Sequence, residues 1–461
     1  MNPFRHLRAG LWLLGLLIAL SVRPALGQEL QKADPAAAGF TSQGLQRVQT
    51  LLEDAVTRKQ VAGAVGLIIK GGKVVYYEAV GKQDAEAGVP MSRDTLFRIA
   101  SMTKPVTSVA IMMLVEEGKV GLDDPVSKYI PEFQASRVLA KDAKPEDADP
   151  ATVPAEREVS IRDLLRHTSG LVYGFSAPPS LGMLYAKAGI VDGLTQTDLT
   201  AADNARRLAR MPLAHQPGAA WTYGLNTDVL GRVVEVASGK SLDRFLHERI
   251  FEPLKMADTA FYITPEQRPK LSALYTVSPE KTVVRVGEQP VHAGPLTYSA
   301  SVPYQGPRTY FSGGAGLVSS AGDYARFLLM LLNGGELDSA RLLKPETIRE
   351  MTSNQIGPIV MGFGDHGDRF GLGFGITTQA GHGPAAVGSY SWGGIYYTFF
   401  WVDPKNELVG ILLTQVFPTD HLTLRADFQK RVYEAMAEPK AQNGENRPER
   451  LGRRLPARVH P

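Results

Sequence analysis

The chain has no cysteine among its 461 residues. Disulfides, thiol nucleophiles and thiolate-held metals are therefore excluded, and the fold must rest on its apolar core. No serine sits in a G-x-S-x-G turn, and no G-x-x-x-x-G-K-[ST] phosphate loop occurs. His247-Glu248-Arg249-Ile250-Phe251 opens like the zinc motif H-E-x-x-H but lacks its second histidine. The nine histidines do not cluster at ligand spacing, so neither a metal nor an organic cofactor is expected. No fixed-period repeat is present, which argues against a solenoid or propeller.

A strong excess of either charge is also missing. Fifty basic residues face 47 acidic ones, a formal net charge of +3. One short apolar run, Gly10 to Val22, follows Arg5 and Arg8 and precedes the small residues Ala25-Leu26-Gly27. This is the pattern of a cleaved export signal over residues 1–27. The competing reading is a membrane anchor, but the run is short for a bilayer core of about 30 Å. Loss of 1–27 removes Arg5, Arg8 and Arg23 and no acid, which brings the net charge from +3 to zero. A periplasmic or secreted protein is expected, with no membrane span after cleavage and no nucleic-acid partner.

What is present is a large apolar fraction, 44%, enough for a sizeable core. Ser42 to Lys59 has helical periodicity. Ala64–Lys70 and Lys73–Val80 flank Gly71-Gly72, which predicts a hairpin. Tyr397–Val402 and Leu408–Thr414 flank Asp403-Pro404-Lys405-Asn406 in the same way, and Leu422–Ala437 reads as a helix. The two chain ends thus predict one antiparallel sheet with N- and C-terminal helices, an α/β protein of α+β type. Between them lie helix-like pieces at Lys104–Glu117, Ser160–His167, Thr227–Ser238, Leu242–Phe251, Gly322–Leu332 and Pro345–Thr352. The expected organisation is a domain over 28–437, with the sheet platform from about 39–100 and 311–437 and a mostly helical insertion over about 101–310. Residues 438–461, rich in Arg and Pro, predict a disordered basic tail.

The stretch Arg98–Leu114, RIASMTKPVTSVAIMML, carries the chemistry-bearing pattern. Ser101 and Lys104 are three apart and share a face if the helix begins at or just after Ser101. The helix N-terminus favours an alkoxide there and lowers the pKa of the amine. Pro105 suits a first turn, where its missing N–H breaks no bond. The alternative is that Ser101 is an N-cap and Lys104 a solvated residue. Ser278-Pro279-Glu280-Lys281 has the same spacing but no helix after it. His167 reads as a hydrogen-bonding residue at a helix end.

Further stretches follow in order: Leu122-Asp123-Asp124-Pro125, Tyr129-Ile130-Pro131, Ile161–Leu171 (IRDLLRHTSGL), Pro217–Val234 (PGAAWTYGLNTDVLGRVV), Pro253–Phe261, Gly313–Leu317 (GGAGL), Ser319–Asp323 and Ser391–Gly394 (SWGG). With Phe97–Lys104 they resemble the serine β-lactamase and DD-peptidase superfamily, in particular class C β-lactamases and family VIII carboxylesterases. The resemblance implies a β-lactamase/transpeptidase-like fold. It also implies an acyl-enzyme on Ser101, with Lys104 and Tyr223 as proton carriers in either order. The N–H groups of Ser101 and Ile395 would form the oxyanion hole. Trp392-Gly393-Gly394 stands where that family has K-T-G. For a phenol to act as base its pKa must fall, and a nearby Lys104 cation would lower it. As packing alone, Tyr223 and Trp392 would be ordinary buried aromatics.

Two departures bear on substrate. Leu225 holds the usual Asn position of Y-x-N, with Asn226 one place late, and Trp392 removes the K-T-G cation. Both disfavour a charged peptide-like substrate. The expected partner is a small-molecule acyl substrate bound by Trp392, Gly393, Gly394, Tyr173, Phe175, Asn226 and Tyr396. The expected function is an exported carboxylesterase on small neutral esters. The alternatives are a β-lactamase or D-amino acid/DD-peptidase-type hydrolase, and an inactive relative that binds cell-wall peptide.

Overall fold

The computed structural model describes residues 30–436 apart from 145, 363–366 and 382. The export signal expected over 1–27 and the tail expected over 438–461 lie outside the described residues. Among the described residues no helix is long and apolar enough to cross a membrane.

One eight-stranded antiparallel sheet organises the molecule. Its strands are β1 (Gly63–Lys70), β2 (Lys73–Asp84), β3 (Val89–Pro90), β4 (Arg369–Phe370), β5 (Gly375–Ile376), β6 (Tyr390–Gly394), β7 (Thr398–Asp403) and β8 (Leu408–Leu413). The spatial order is β4-β5-β6-β7-β8-β1-β2-β3, so β1 from one chain end pairs with β8 from the other, Val65 opposite Leu413. Gly71 and Gly72, at φ +57° and +75°, make the tight β1–β2 turn that only a residue without Cβ enters freely.

The ten helices described are α1 (Ser42–Thr57), α2 (Thr103–Glu116), α3 (Ile161–Leu165), α4 (Pro179–Lys187), α5 (Ala201–Ala209), α6 (Asn226–Ser238), α7 (Leu242–Leu246), α8 (Ala321–Leu332), α9 (Pro345–Met351) and α10 (Leu424–Ala435). Both sheet faces are covered. Ala64 and Ile68 of β1, with Trp401 and Leu412, pack against Val48 and Leu52 of α1 and Phe428 and Val432 of α10. Val65, Leu67, Ile69, Ile411 and Leu413 belong to the core that contains α2, α6 and α8. That is why β1 and β8 read as unbroken apolar runs instead of alternating ones.

The helices at both chain ends start or stop within a few residues of their predicted bounds, as cap-driven boundaries do. Two helices went unread. α4 begins with Pro179 and contains Gly182, which weaken a helical pattern. α5 is short and its apolar residues are mostly alanine, a weak periodic signal, although the Thr200–Asp203 capping box that starts it is visible in the sequence. The region between 137 and 310 also contains short hairpins: Arg137–Leu139 with Thr152–Pro154, Tyr275–Val277 with Val283–Arg285, and Val291–Ala293 with Leu296–Tyr298. The rival Ser278–Lys281 pattern is simply the turn of the second hairpin, with the Ser278 and Thr282 hydroxyls 3.0 Å apart.

Gly410 of β8 lies opposite Trp401 of β7. A Cβ at Gly410 would come within 2.1 Å of the Trp401 ring, which is itself fully buried. Gly410→Ala is therefore expected to cost about 1–3 kcal/mol through overpacking, read as a lower midpoint in denaturant unfolding. An unchanged midpoint would show that the indole can move aside.

Candidate active site

Phe97-Arg98 pairs with Val318-Ser319 in a short ladder of its own, and the chain then turns sharply before α2. Ala100 sits at φ +43°, a left-handed conformation that costs a residue with a Cβ about 1–3 kcal/mol. The surroundings hold it there. Ile99 donates its N–H to Leu317 O at 3.0 Å, and Ile99 O accepts from Thr398 Oγ1 at 3.2 Å. The buried Gln415 side chain bonds both the N–H and the carbonyl of Arg98. The Arg98 guanidinium, 6% exposed, donates to the carbonyls of Ser272 and Ala300. These bonds fix the position from which Ser101 projects.

Ser101 is not an N-cap. It lies inside a 3-10 turn, Ala100–Met102, that runs directly into α2 at Thr103. Lys104 is not solvated either; it is 1% exposed. Its Nζ lies 3.1 Å from Ser101 Oγ and donates to Tyr173 Oη and to Gly314 O, each at 2.8 Å. Two N–H groups are thereby committed, and the third position of the nitrogen faces the serine hydroxyl. Burial pushes the Lys104 pKa down to about 7, with the Asp228 carboxylate opposing that shift. An amine with this value is a free base for much of the time at neutral pH.

Tyr223 comes from the segment that leads into α6. Its hydroxyl is in hydrogen-bonding contact with Ser101 and with the Trp392 indole, and Lys104 Nζ lies 4.6 Å from its ring centroid. The expectation that Lys104 lowers the Tyr223 pKa is corrected. Burial is the dominant influence, and it raises that pKa well above the ordinary phenol value. Contacts from Ser101 and Trp392 offset only part of it.

One cavity of about 230 Å3 brings together Ser101, Tyr223, Tyr173, Phe175, Trp392, Gly393, Gly394 and Ile395. Tyr173 and Phe175 stack with ring centroids 5.0 Å apart, and Trp392 packs on Tyr223 at 5.4 Å. Gly394 is required where β6 meets the Ser101 turn: a Cβ there would lie 2.3 Å from Ile99 O. The close approach is thus to the turn that carries Ser101.

Two expected substrate contacts fall elsewhere. Asn226 is fully buried; its side chain bonds Ser169 Oγ, and its Nδ2 lies 2.8 Å from His167 Nδ1. As the first residue of α6 it serves the packing of the HTSGL segment, so its side chain cannot reach substrate. Tyr396 is also buried and packs on Tyr298 at 6.2 Å, because the backbone reverses at Ile395–Tyr397 and turns the ring away from the cavity. His167, at φ +59° just after α3, is buried beside Tyr223, ring centroids 5.0 Å apart. Burial, reinforced by Lys104, holds its pKa well below the ordinary histidine value, so it is neutral.

The cavity also contains residues that sequence reasoning missed: Asp192, Leu194, Ala315 and Arg425. Arg425 comes from α10. It donates to Gly394 O at 2.6 Å and lies over the Tyr397 ring. No local pattern marks it, since it reaches the site from the far end of the chain. Asp228, behind Lys104, accepts from Ser312 Oγ at 2.7 Å and Tyr310 Oη at 3.1 Å. A signal existed for this one, an acid among apolar residues in the first turn of an internal helix.

Comparison with known proteins gives the family and the fold. The family model described as Beta-lactamase matches residues 48–434. Esterase EstB of Burkholderia gladioli is 34% identical over 393 residues, 83% of this chain and 93% of that protein. The solved structure of EstCE1, a hydrolase with promiscuous acyltransferase activity, superposes with a TM-score of 0.72 at 29% identity, covering 85% of this chain and 98% of that one. Simvastatin synthase LovD from Aspergillus terreus superposes at 0.71 with 26% identity, over 88% of this chain and all of that one. The sheet with helices on both faces is the β-lactamase/transpeptidase-like fold, and the chain belongs to the Beta-lactamase family as a serine hydrolase working through an acyl-enzyme.

Proposed function

We propose that this chain is an exported carboxylesterase that acts on small, largely neutral esters through acylation of Ser101. The observation that carries the reading is the buried Lys104 amine, with two N–H groups committed and its third position on Ser101 Oγ. In the free-base form that position is a lone pair. It takes the Ser101 proton as Oγ attacks the ester carbonyl. The N–H groups of Ser101 and Ile395 receive the oxyanion. Tyr223, still a phenol at neutral pH, touches Ser101 and passes a proton to the departing alkoxide, which leaves as alcohol. Its own proton is replaced from Lys104. Water then attacks the acyl-enzyme, with Lys104 and Tyr223 relaying its proton back to Ser101 Oγ, and the acid is released.

The substrate class follows from the walls. Phe175, Leu194, Ala315, Trp392 and Ile395 are apolar, and about 230 Å3 suits a short acyl or alcohol group. Leu225, buried at the start of α6, offers no amide to a β-lactam or peptide. EstB is named an esterase, which supports the same class. Export rests on the basic, apolar and small residues of 1–27. A second reading, transfer of the acyl group to an alcohol in place of water, is favoured by those apolar walls and by the activity named for EstCE1.

Ser101→Ala is expected to abolish both the hydrolysis of a nitrophenyl butyrate and the mass shift on treatment with a serine-directed phosphonate. Cephalosporin hydrolysis by the wild type as fast as ester hydrolysis would replace the esterase reading with a β-lactamase one. The kcat/KM for a neutral ester should rise with pH through about 7, because Lys104 must lose its proton to act. Asp228 holds that pKa up, so Asp228→Asn should shift the rise to lower pH. A rise left in place by Asp228→Asn would remove Lys104 as the titrating base. Lys104→Met should cost on the order of 100- to 10,000-fold in kcat.

A further inference from the structure

The mechanism above uses Ser101, Lys104 and Tyr223. Of the other ionisable side chains in the same cavity, Tyr173 is held by Lys104 and Arg425 by the Gly394 carbonyl, which leaves Asp192 without a task. Asp192 lines the cavity beside Leu194. Among the described residues its carboxylate has a single hydrogen bond, a long one of 3.4 Å from the Gly174 N–H. No cation lies within ion-pair distance of it among the described residues. Asp192 is half-buried; the apolar wall strips part of its hydration, and one long bond from a neutral amide does not restore that part.

Nor is Asp192 a surface side chain that has drifted inward, because the backbone on both sides is tied down. The N–H and carbonyl of Val191 are both held by the Asn204 side chain, at 3.1 and 3.0 Å. Gly193, at φ +78°, sits so close to Ser312 that a Cβ would lie 2.4 Å from its Oγ. Leu194 O accepts from the Ser299 N–H at 2.8 Å. Asn204 also bonds Tyr310, whose hydroxyl bonds Asp228, so the loop is tied to the network behind Lys104. A fixed, under-bonded carboxylate in a substrate cavity is the usual mark of a recognition group. Capping of Gly174 alone would need no charge, since an asparagine oxygen accepts the same bond.

We propose that Asp192 is a specificity-determining residue that receives a protonated amine on the ester substrate, so that the preferred esters carry an ammonium group on their acyl or alcohol part. This inference rests on the esterase reading and refines it: the ester remains neutral at the reacting bond, and its distal end is cationic. The ammonium supplies the charge-assisted hydrogen bond that the Gly174 N–H does not. An anionic group at the same place meets a like charge and is disfavoured.

The test uses two pairs of nearly isosteric esters. Methyl 4-(dimethylamino)butanoate is set against methyl 5-methylhexanoate, and 2-(dimethylamino)ethyl acetate against 3-methylbutyl acetate. The readout is the ratio of kcat/KM within each pair, so general effects of a substitution cancel. The wild type should prefer the ammonium member of at least one pair by about tenfold, the size of one charge-assisted contact. Asp192→Asn should bring that ratio near unity, and Asp192→Glu should retain a preference. Ratios that are near unity in the wild type, or that Asp192→Asn leaves unchanged, overturn the proposal. Hydrolysis of the neutral members leaves the esterase reading standing in that event, whereas failure to hydrolyse any of the four overturns both.

The ratio should also fall as the pH drops through about 6. Burial pushes the Asp192 pKa up to that value, with Asp228 adding to the shift and the Gly174 N–H opposing it. The other ionisable groups around it are Asp228 of α6, Tyr185 of α4, Tyr173, Tyr310 and, on the cavity wall, Arg425 of α10. The three phenols are held above their ordinary range by burial and stay neutral through this window. Titration of Lys104 affects both members of a pair equally. A ratio flat across that range would also count against Asp192 as the receiving group.

Discussion

The proposed chemistry of this molecule depends on keeping one amine out of water. Lys104 lies in the first turn of a helix buried on nearly every side, among Tyr173, Tyr223 and the Gly313-Gly314 backbone. Desolvation penalises its cation, and Asp228, set behind a screen of Ser312 and Tyr310, partly repays that penalty. The balance leaves the pKa near neutrality. A fully exposed lysine would be a cation at neutral pH and could not accept the serine proton. A buried lysine with no acid nearby would have a still lower pKa and be a weaker base.

The rest of the fold reads as the apparatus that makes this burial possible. The sheet is covered on both faces, so the Ser101 turn is pressed between β6 and the helical layer instead of standing at an open edge. Ala100 can be held left-handed because its neighbours are bonded from several directions: Ile99 from Leu317 and Thr398, Arg98 from Gln415, Ser272 and Ala300. Segments far apart in the chain each supply one such bond. The precision of the site is therefore a property of the sheet and the two chain ends that build it together.

Much of this was legible in the residues. The Gly71-Gly72 hairpin, the second hairpin near the other end and the flanking amphipathic helices disclosed the sheet platform, because local turn chemistry and periodicity determine them. The Ser101–Lys104 spacing marked the pair that the fold brings to 3.1 Å. Asn226 and Tyr396 were misread because spacing along a chain does not say which way a side chain points: Asn226 turns inward to His167 and Ser169, and a reversal at Ile395–Tyr397 sends the Tyr396 ring away. Asp192 and Arg425 had no local signature at all. Each reaches the cavity only because distant segments converge there.

The sequence by itself thus determined the elements, the pairing of a serine with an amine at the start of one helix, and the absence of thiol chemistry, since these follow from residue type and short-range spacing. Tertiary structure alone decided the ionisation states. Whether Lys104 is a base, whether Tyr223 keeps its proton and whether Asp192 stands unpaired in an apolar wall are all matters of desolvation and distance. Those quantities come into existence only when segments remote in sequence close around the same small volume.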